Sequence, residues 1–270
     1  MYKLVAIDMD GTLLNPNKEI TERTKQALFA AKDLGVRVVL ASGRPRPGMQ
    51  KYLEELQLTS QEDYLIHYNG SIVENVATGE VVHQAILTGK DAKCVAKLAA
   101  QLGGYVHAFS LEHGLITPEK NPYTDIEATI NQLTITEMDF ETLSDDHPII
   151  KTMIVASEDN LKNIITQVPT DFKSTYTVVQ SAPFFLEFLN PESNKGVGVA
   201  AICQKLGFDA SEVICLGDAE NDHHMIEYAG LGVAMDNAMP QTKAIADFIT
   251  DSNENDGVAK VIEQFIINKN

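Results

Sequence analysis

Apolar and polar positions alternate along the first third of the chain with two different periods. KLVAI (3–7) reads as a buried strand around the apolar run LVAI, and TERTKQALFAAKDLG (21–35) carries a helical apolar stripe that stops at Gly35. VRVVLAS (36–42) reads as the next strand, RPGMQKYLEELQL as a helix and DYLIHY as a strand. The last third repeats the rhythm. KGVGVAAICQKLG is a helix, EVICLGD a strand, NDHHMIEYAG a helix and LGVAM a strand, and an amphipathic helix follows Asp256-Gly257. Fully apolar strands separated by helices predict a parallel sheet covered on both faces.

Residues 84–189 follow another pattern. GKDAKCVAKLAAQLGG is helical, YVHAFS and GLIT are short strands, and KTMIVAS is a longer one. NLKNIITQV is a helix, and TYTVVQSA and PFFLEFLN are consecutive strands divided at Pro183. This order predicts an α+β unit with a mixed or antiparallel sheet.

Composition narrows the function classes. A formal net charge of -17 on 270 residues argues against a nucleic-acid partner and against an anionic membrane surface. Cys94, Cys203 and Cys215 form no CxxC pair and lie in apolar stretches, which reads as free thiols in a reducing compartment. The histidines show no HxH or HExxH spacing, and His223-His224 reads as a helix surface pair. No apolar run approaches a membrane span. Only MYK precedes the first apolar run, leaving no room there for a signal peptide, so the expected location is cytoplasmic.

The chemistry is concentrated where strands end. Ligands of open parallel sheets bind beyond the carboxyl ends of the strands. The first strand delivers Asp8 and Asp10, the second Ser42, and VICLG delivers Asp218, with Asn221 and Asp222 at the start of the next helix. Two carboxylates about 5 Å apart repel by roughly 3 kcal/mol at an effective dielectric of 20. A hard divalent cation removes that penalty. Since no His or Cys accompanies the acids, Mg²⁺ is the expected ion. Taken singly, each aspartate is explained as well by a turn or a helix cap. ASGRPRPG (41–48) adds Ser42, Gly43 and Arg44 before a helix, where backbone N–H groups can hold a phosphate oxygen, although a plain N-cap explains this stretch too. Lys195 in NKGVGV opposes the dipole of the helix it starts, which calls for a partner elsewhere; a solvated lysine is the alternative. Together these groups suit phosphoryl transfer through a carboxylate nucleophile.

DMDGTLL (8–14), LASGRP (40–45), Lys195 in NKG and GDAEND (217–222) resemble the four motifs of the haloacid-dehalogenase superfamily. YNGS (68–71), SAPFFLEFLN (181–190) and MIEYAGLGVAMDNA (225–238) resemble its Cof-type subfamily IIB, in particular the YidA-like sugar phosphatases. The resemblance implies an α/β fold, with a Rossmann-like catalytic core from residues 1–83 and 190–270 and an inserted α+β C2B cap from 84–189. It implies Asp8 as nucleophile and Asp10 as general acid/base, with phosphate held by Met9, Ser42, Gly43, Lys195 and Asn221. Asp8, Asp10 and Asp218 would bind Mg²⁺, with Thr12, Asp222 and Arg44 in support. The expected activity is hydrolysis of small phosphomonoesters, sugar phosphates above all. A phosphomutase and a non-catalytic phospho-ligand sensor are the alternatives. The expected assembly is a monomer or weak homodimer.

Overall fold

A computed structural model describes residues 1–269; Asn270, the last residue of the expected core segment, lies outside the described residues. The chain forms two compact units. One comprises Met1–Gly43, Met49–Gln84 and Asn194–Asn270, and the other Arg44–Gly48 and Ala85–Ser193. The changeovers at 84/85 and 193/194 compare with expected boundaries at 83/84 and 189/190.

The first unit is built on an eight-stranded sheet. Its order is Phe248–Ile249, Leu231–Ala234, Val213–Gly217, Leu4–Asp8, Arg37–Ala41, Tyr64–His67, Ile72–Asn75 and Val81–Gln84. The first six strands run parallel, and the last two return antiparallel. The apolar pattern predicts five of the six parallel strands; Phe248–Ile249 and the antiparallel return lie outside it. Every residue of Leu4–Asp8 is buried, since helices cover both faces of this central strand. One apolar cluster joins Val5, Ile7, Leu40, Leu216 and Val233 to Leu28 and Val261, and the opposite face packs Leu4, Ala6, Val39 and Cys215 against Val199, Ile202 and Met225.

Two predicted helices are shorter than their apolar patterns. RPGMQKYLEELQL forms a 3-10 turn at Arg46–Gly48 and an α-helix only over Gln50–Glu55, with Pro47 and Gly48 disfavouring an uninterrupted helix. NDHHMIEYAG likewise opens with a 3-10 turn, Glu220–Asp222, before the helix His223–Tyr228. His223 is not a plain surface residue. Its ring Nε2 lies 2.8 Å from the hydroxyl of buried Thr242, whereas His224 is exposed.

The second unit has a sheet ordered Thr177–Ala182, Phe185–Leu189, Pro148–Val155, Tyr105–Ser110, Gly114–Thr117 and Ile135–Glu137, with Leu87–Thr88 paired to Pro148–Val155. All pairs are antiparallel except Gly114–Thr117 with Ile135–Glu137. Helices Gly89–Leu102 and Glu158–Gln167 pack Val95, Leu98, Leu161 and Ile164 onto one face through Ala108, Ile154 and Phe188. The alternate residues of the same strands are His107, Lys151, Met153 and Glu187, all buried. Lys151 Nζ lies 3.0 Å from Glu187 and 4.9 Å from the Phe109 ring centroid. A helix that the pattern missed, Pro122–Asn131, supplies Thr124, whose hydroxyl lies 2.9 Å from His107 Nδ1. Its start signals were present in the sequence: Asn121 as N-cap and Pro122 at the first helical position.

Candidate active site

Leu4–Asp8 lies between Arg37–Ala41 and Val213–Gly217, which lead away from it on opposite sides of the sheet. This is the point where strand order reverses, and open parallel sheets bind their ligands beyond the carboxyl ends of the strands at such a point. In register, Asp8 faces Ala41, so Ser42 follows alongside it, and Asp218 follows Gly217 on the other side.

Asp8, Asp218 and Asp222 bring one carboxylate oxygen each to within 4.8 Å of the others. Lys195, fully buried at the start of helix Lys195–Leu206, reaches Asp8 Oδ1 at 2.5 Å and Asp222 Oδ1 at 2.7 Å. The other oxygen of Asp222 accepts the backbone N–H groups of Asp218 (2.9 Å) and Ala219 (3.1 Å). Asp222 is thereby committed to shaping the loop and holding the lysine. Asp218 Oδ1 accepts from the Thr12 hydroxyl at 2.9 Å. Thr12 itself sits on a turn in which Leu13 N–H donates to Asp8 O and Leu14 N–H to Met9 O.

Glycine is required at the centre of this turn. Gly11 has φ +94°, and a Cβ there would come within 2.4 Å of Asp218 Oδ2. The Asp-x-Asp-Gly-Thr stretch thus lets the first acidic loop close onto the second.

Burial, then the Asp222 carboxylate, pushes the Asp8 carboxyl well above its usual range. The same two causes, in the same order, raise Asp218 to about 6. Burial works against the Lys195 ammonium, but Asp222 and Asp8 overcome it and hold the pKa above the usual lysine value. Three carboxylates around one ammonium leave uncompensated negative charge, and the donors are all oxygen. That combination fits a hard divalent cation.

Ser42 is buried, its N–H bonded to Ile66 O at 2.9 Å, and Met9 is buried behind the first loop. Gly43 and Asn221 meet at a residue given no individual role from sequence, Asn69. Its side-chain oxygen accepts from Asn221 Nδ2 at 3.1 Å, its N–H donates to Ser42 O at 2.9 Å, and a Cβ on Gly43 would approach its Nδ2 to 3.0 Å. Asn69 occupies the left-handed region (φ 56°), a conformation asparagine tolerates, and YNG is the signal that could have found it. Asp10 is partly exposed and accepts from Lys18 Nζ at 2.7 Å. Arg44 belongs to the second unit, where its guanidinium donates to Gly48 O at 3.2 Å.

A cavity of about 410 Å³ lined by Met1, Tyr2, Leu34, Val36, Ser211, Phe265 and Ile266 shares no residue with this cluster. Several of its lining residues precede strands, placing it at the opposite end of the sheet from Asp8. Among the described residues, no helix is long and apolar enough to cross a membrane.

Residues 5–262 match the family model of haloacid dehalogenase-like hydrolases. The chain is 43% identical over its full length to the full length of "Putative phosphatase YxeH" of Bacillus subtilis (strain 168). It is 31% identical, over 98% of this chain and 96% of the relative, to 5-amino-6-(5-phospho-D-ribitylamino)uracil phosphatase YcsE of the same organism. Among solved structures, the HAD subclass IIB sugar phosphatase BT4131 superposes with a TM-score of 0.81 at 26% identity, covering 97% of this chain and 98% of the other. The chain belongs to the haloacid dehalogenase-like hydrolase family. Within it, the chain is a phosphatase of the Cof type, subclass IIB.

Proposed function

We propose that the chain is a Mg²⁺-dependent phosphatase of small phosphomonoesters, sugar phosphates foremost, working through an aspartyl-phosphate on Asp8. The observation that carries this reading is the Lys195 ammonium 2.5 Å from Asp8 Oδ1 at the strand-order reversal, with Asp218 and Asp222 alongside. Asp8 and Asp218, with the backbone carbonyl of Asp10, would hold the ion. When bound, Mg²⁺ neutralises charge on the phosphoryl oxygens and on the carboxylates around it.

With Lys195 on Oδ1, Asp8 attacks phosphorus through Oδ2, and the phosphorus–oxygen ester bond breaks. Asp10 gives its proton to the leaving alkoxide. It then takes one from the water that attacks the phosphoryl-Asp8, so phosphate leaves and Asp8 is restored. Lys195, the Ser42 hydroxyl, the Met9 and Gly43 backbone and Asn221 hold the equatorial oxygens; Thr12 and Asp222 keep Asp218 and Lys195 in place. Asn69 joins this set by fixing Asn221 against the Ser42 loop. The second unit, 85–193, is proposed as the C2B cap, which would select the leaving group, with Arg44 as a substrate or cap contact. We place the protein in the cytoplasm, as a monomer or weak homodimer.

YcsE is named for a phosphorylated ribitylamino compound and BT4131 for sugar phosphates, which supports a small polyol or sugar ester here. A phosphate-release screen over sugar phosphates, nucleotides, flavin mononucleotide and pyridoxal phosphate, ranked by kcat/KM, tests the substrate class. A top rank for nucleotides removes the sugar-phosphate assignment. Strict dependence on a bisphosphate activator identifies a phosphomutase instead. Undiminished turnover in Asp8→Asn removes the nucleophile.

A further inference from the structure

A second group of metal-ligating side chains lies wholly within the 85–193 unit. Strand Tyr105–Ser110 turns through Leu111–His113 into Gly114–Thr117, and His147 stands immediately before strand Pro148–Val155. The turn is fastened to that strand by the Leu111 N–H bond to Pro148 O at 3.1 Å. Glu112, His113 and His147 each bring one donor atom to within 4.8 Å of the other two. Glu112 Oε2 is 3.9 Å from His147 Nδ1 and 4.0 Å from His113 Nε2, and the two rings stack with centroids 5.3 Å apart at 7°.

The chemistry of this group differs from that of the aspartate cluster. Two imidazoles and one carboxylate match Zn²⁺ and its borderline neighbours, whereas Mg²⁺ prefers oxygen alone. The orientation of His147 is built in. The residue is 8% exposed, and its Nε2 sits 2.8 Å from the Ser110 hydroxyl, itself held by N–H groups of Glu112 and His113 at 3.1 Å each. The Ser110 hydroxyl, which already accepts those two N–H groups, can donate to Nε2 or rotate to accept a ring hydrogen from it; in the second arrangement Nδ1 turns its lone pair toward Glu112. An oxygen partner on the far nitrogen is the usual support of a ligating histidine. His113 is exposed, so its ring can rotate out of the stack and present Nε2 to the same point.

We propose that Glu112, His113 and His147 form a binding site for a divalent transition ion of the Zn²⁺ class, with Ser110 as the positioning residue of His147. The ion clips the turn after Ser110 to the start of the Pro148–Val155 strand. It takes no part in the phosphatase reaction, and the inference is independent of the mechanism proposed above.

The test uses tag-free full-length protein carrying Asp218→Asn, so that the aspartate cluster does not compete. Zn²⁺ is titrated by isothermal calorimetry in excess Mg²⁺. The expected result is one Zn²⁺ per chain, weakened at least tenfold by His113→Gln, by Glu112→Gln and by His147→Ala, and about 10–100-fold by Ser110→Ala. Zinc-edge X-ray absorption should report two imidazole nitrogens. His113 and Glu112 are exposed, so those two variants keep the fold and decide the matter even if His147→Ala unfolds. Zn²⁺ binding that is absent, or that is unchanged in both exposed variants, overturns the proposal.

Discussion

Replacing Lys195 with methionine tests the electrostatic account of the site most directly. The side chain is fully buried and makes the two short ion pairs to Asp8 and Asp222, so methionine keeps most of the volume and removes the charge. Deleting one partner of a buried ion pair costs about 3–5 kcal/mol, because the remaining charge is left uncompensated. Here two carboxylates are left facing each other, and they lower that cost by taking up a proton. Burial already raises Asp8, and loss of the ammonium raises it further. A carboxylate whose folded pKa lies above its unfolded value binds more protons in the native state, so stability falls as pH rises from the unfolded value through the folded one. The expected loss is therefore small near pH 4 and grows to about 3–5 kcal/mol at pH 8. Urea unfolding of both proteins in EDTA, at pH 4, 6 and 8, measures it. Adding Asp222→Asn to Lys195→Met should recover part of the loss, since one of the two stranded charges is then neutral. A loss under about 1 kcal/mol at pH 8, or one independent of pH, refutes the claim that Lys195 is the counter-charge of this cluster.

Three further outcomes follow from particular groups. Asp218 is raised from 3.8 to about 6, so in EDTA its ionisation should cost roughly 2 kcal/mol as pH rises from 4 to 7; Asp218→Asn should flatten that slope, and Mg²⁺ at 100 times its Kd should return about 2.7 kcal/mol at pH 7. Gly11→Ala should cost about 1–3 kcal/mol through the positive φ and push Asp218 aside, so that turnover falls more steeply than the melting temperature predicts. Burial and the neighbouring Lys151 ammonium lower His107 to about 3, so its NMR ring signals should not titrate between pH 5 and 8. With the folded value depressed, stability is full above pH 6.5 and declines by on the order of 5 kcal/mol as pH falls toward 3; a titration midpoint near 6.5 contradicts the burial.

The sequence by itself determined the elements that obey one simple period. Leu4–Asp8, Arg37–Ala41 and Val213–Gly217 are uniformly apolar because both faces of a central parallel strand are covered, and such runs are legible without a structure. It also determined the acids at the strand ends, because carboxylates following buried strands stand out by their cost. Elements whose signal is shared with other structures were less legible. The antiparallel return Ile72–Asn75 and Val81–Gln84 and the helix Pro122–Asn131 are short, and their buried faces are partly polar, so hydrophobic period alone does not reveal them. Only the tertiary structure decided the pairings across long stretches of chain. Lys195 meets Asp8 and Asp222, Thr12 meets Asp218, and Asn69 meets Asn221, because strands 213–217, 4–8, 37–41 and 64–67 lie side by side in one parallel sheet. The same holds for Glu112, His113 and His147, which share no sequence spacing that marks a metal site. Periodicity records which face of an element is buried, but not which element will lie beside it; that choice is made by packing, and it is packing that turns separate acids, a lysine and an asparagine into one site.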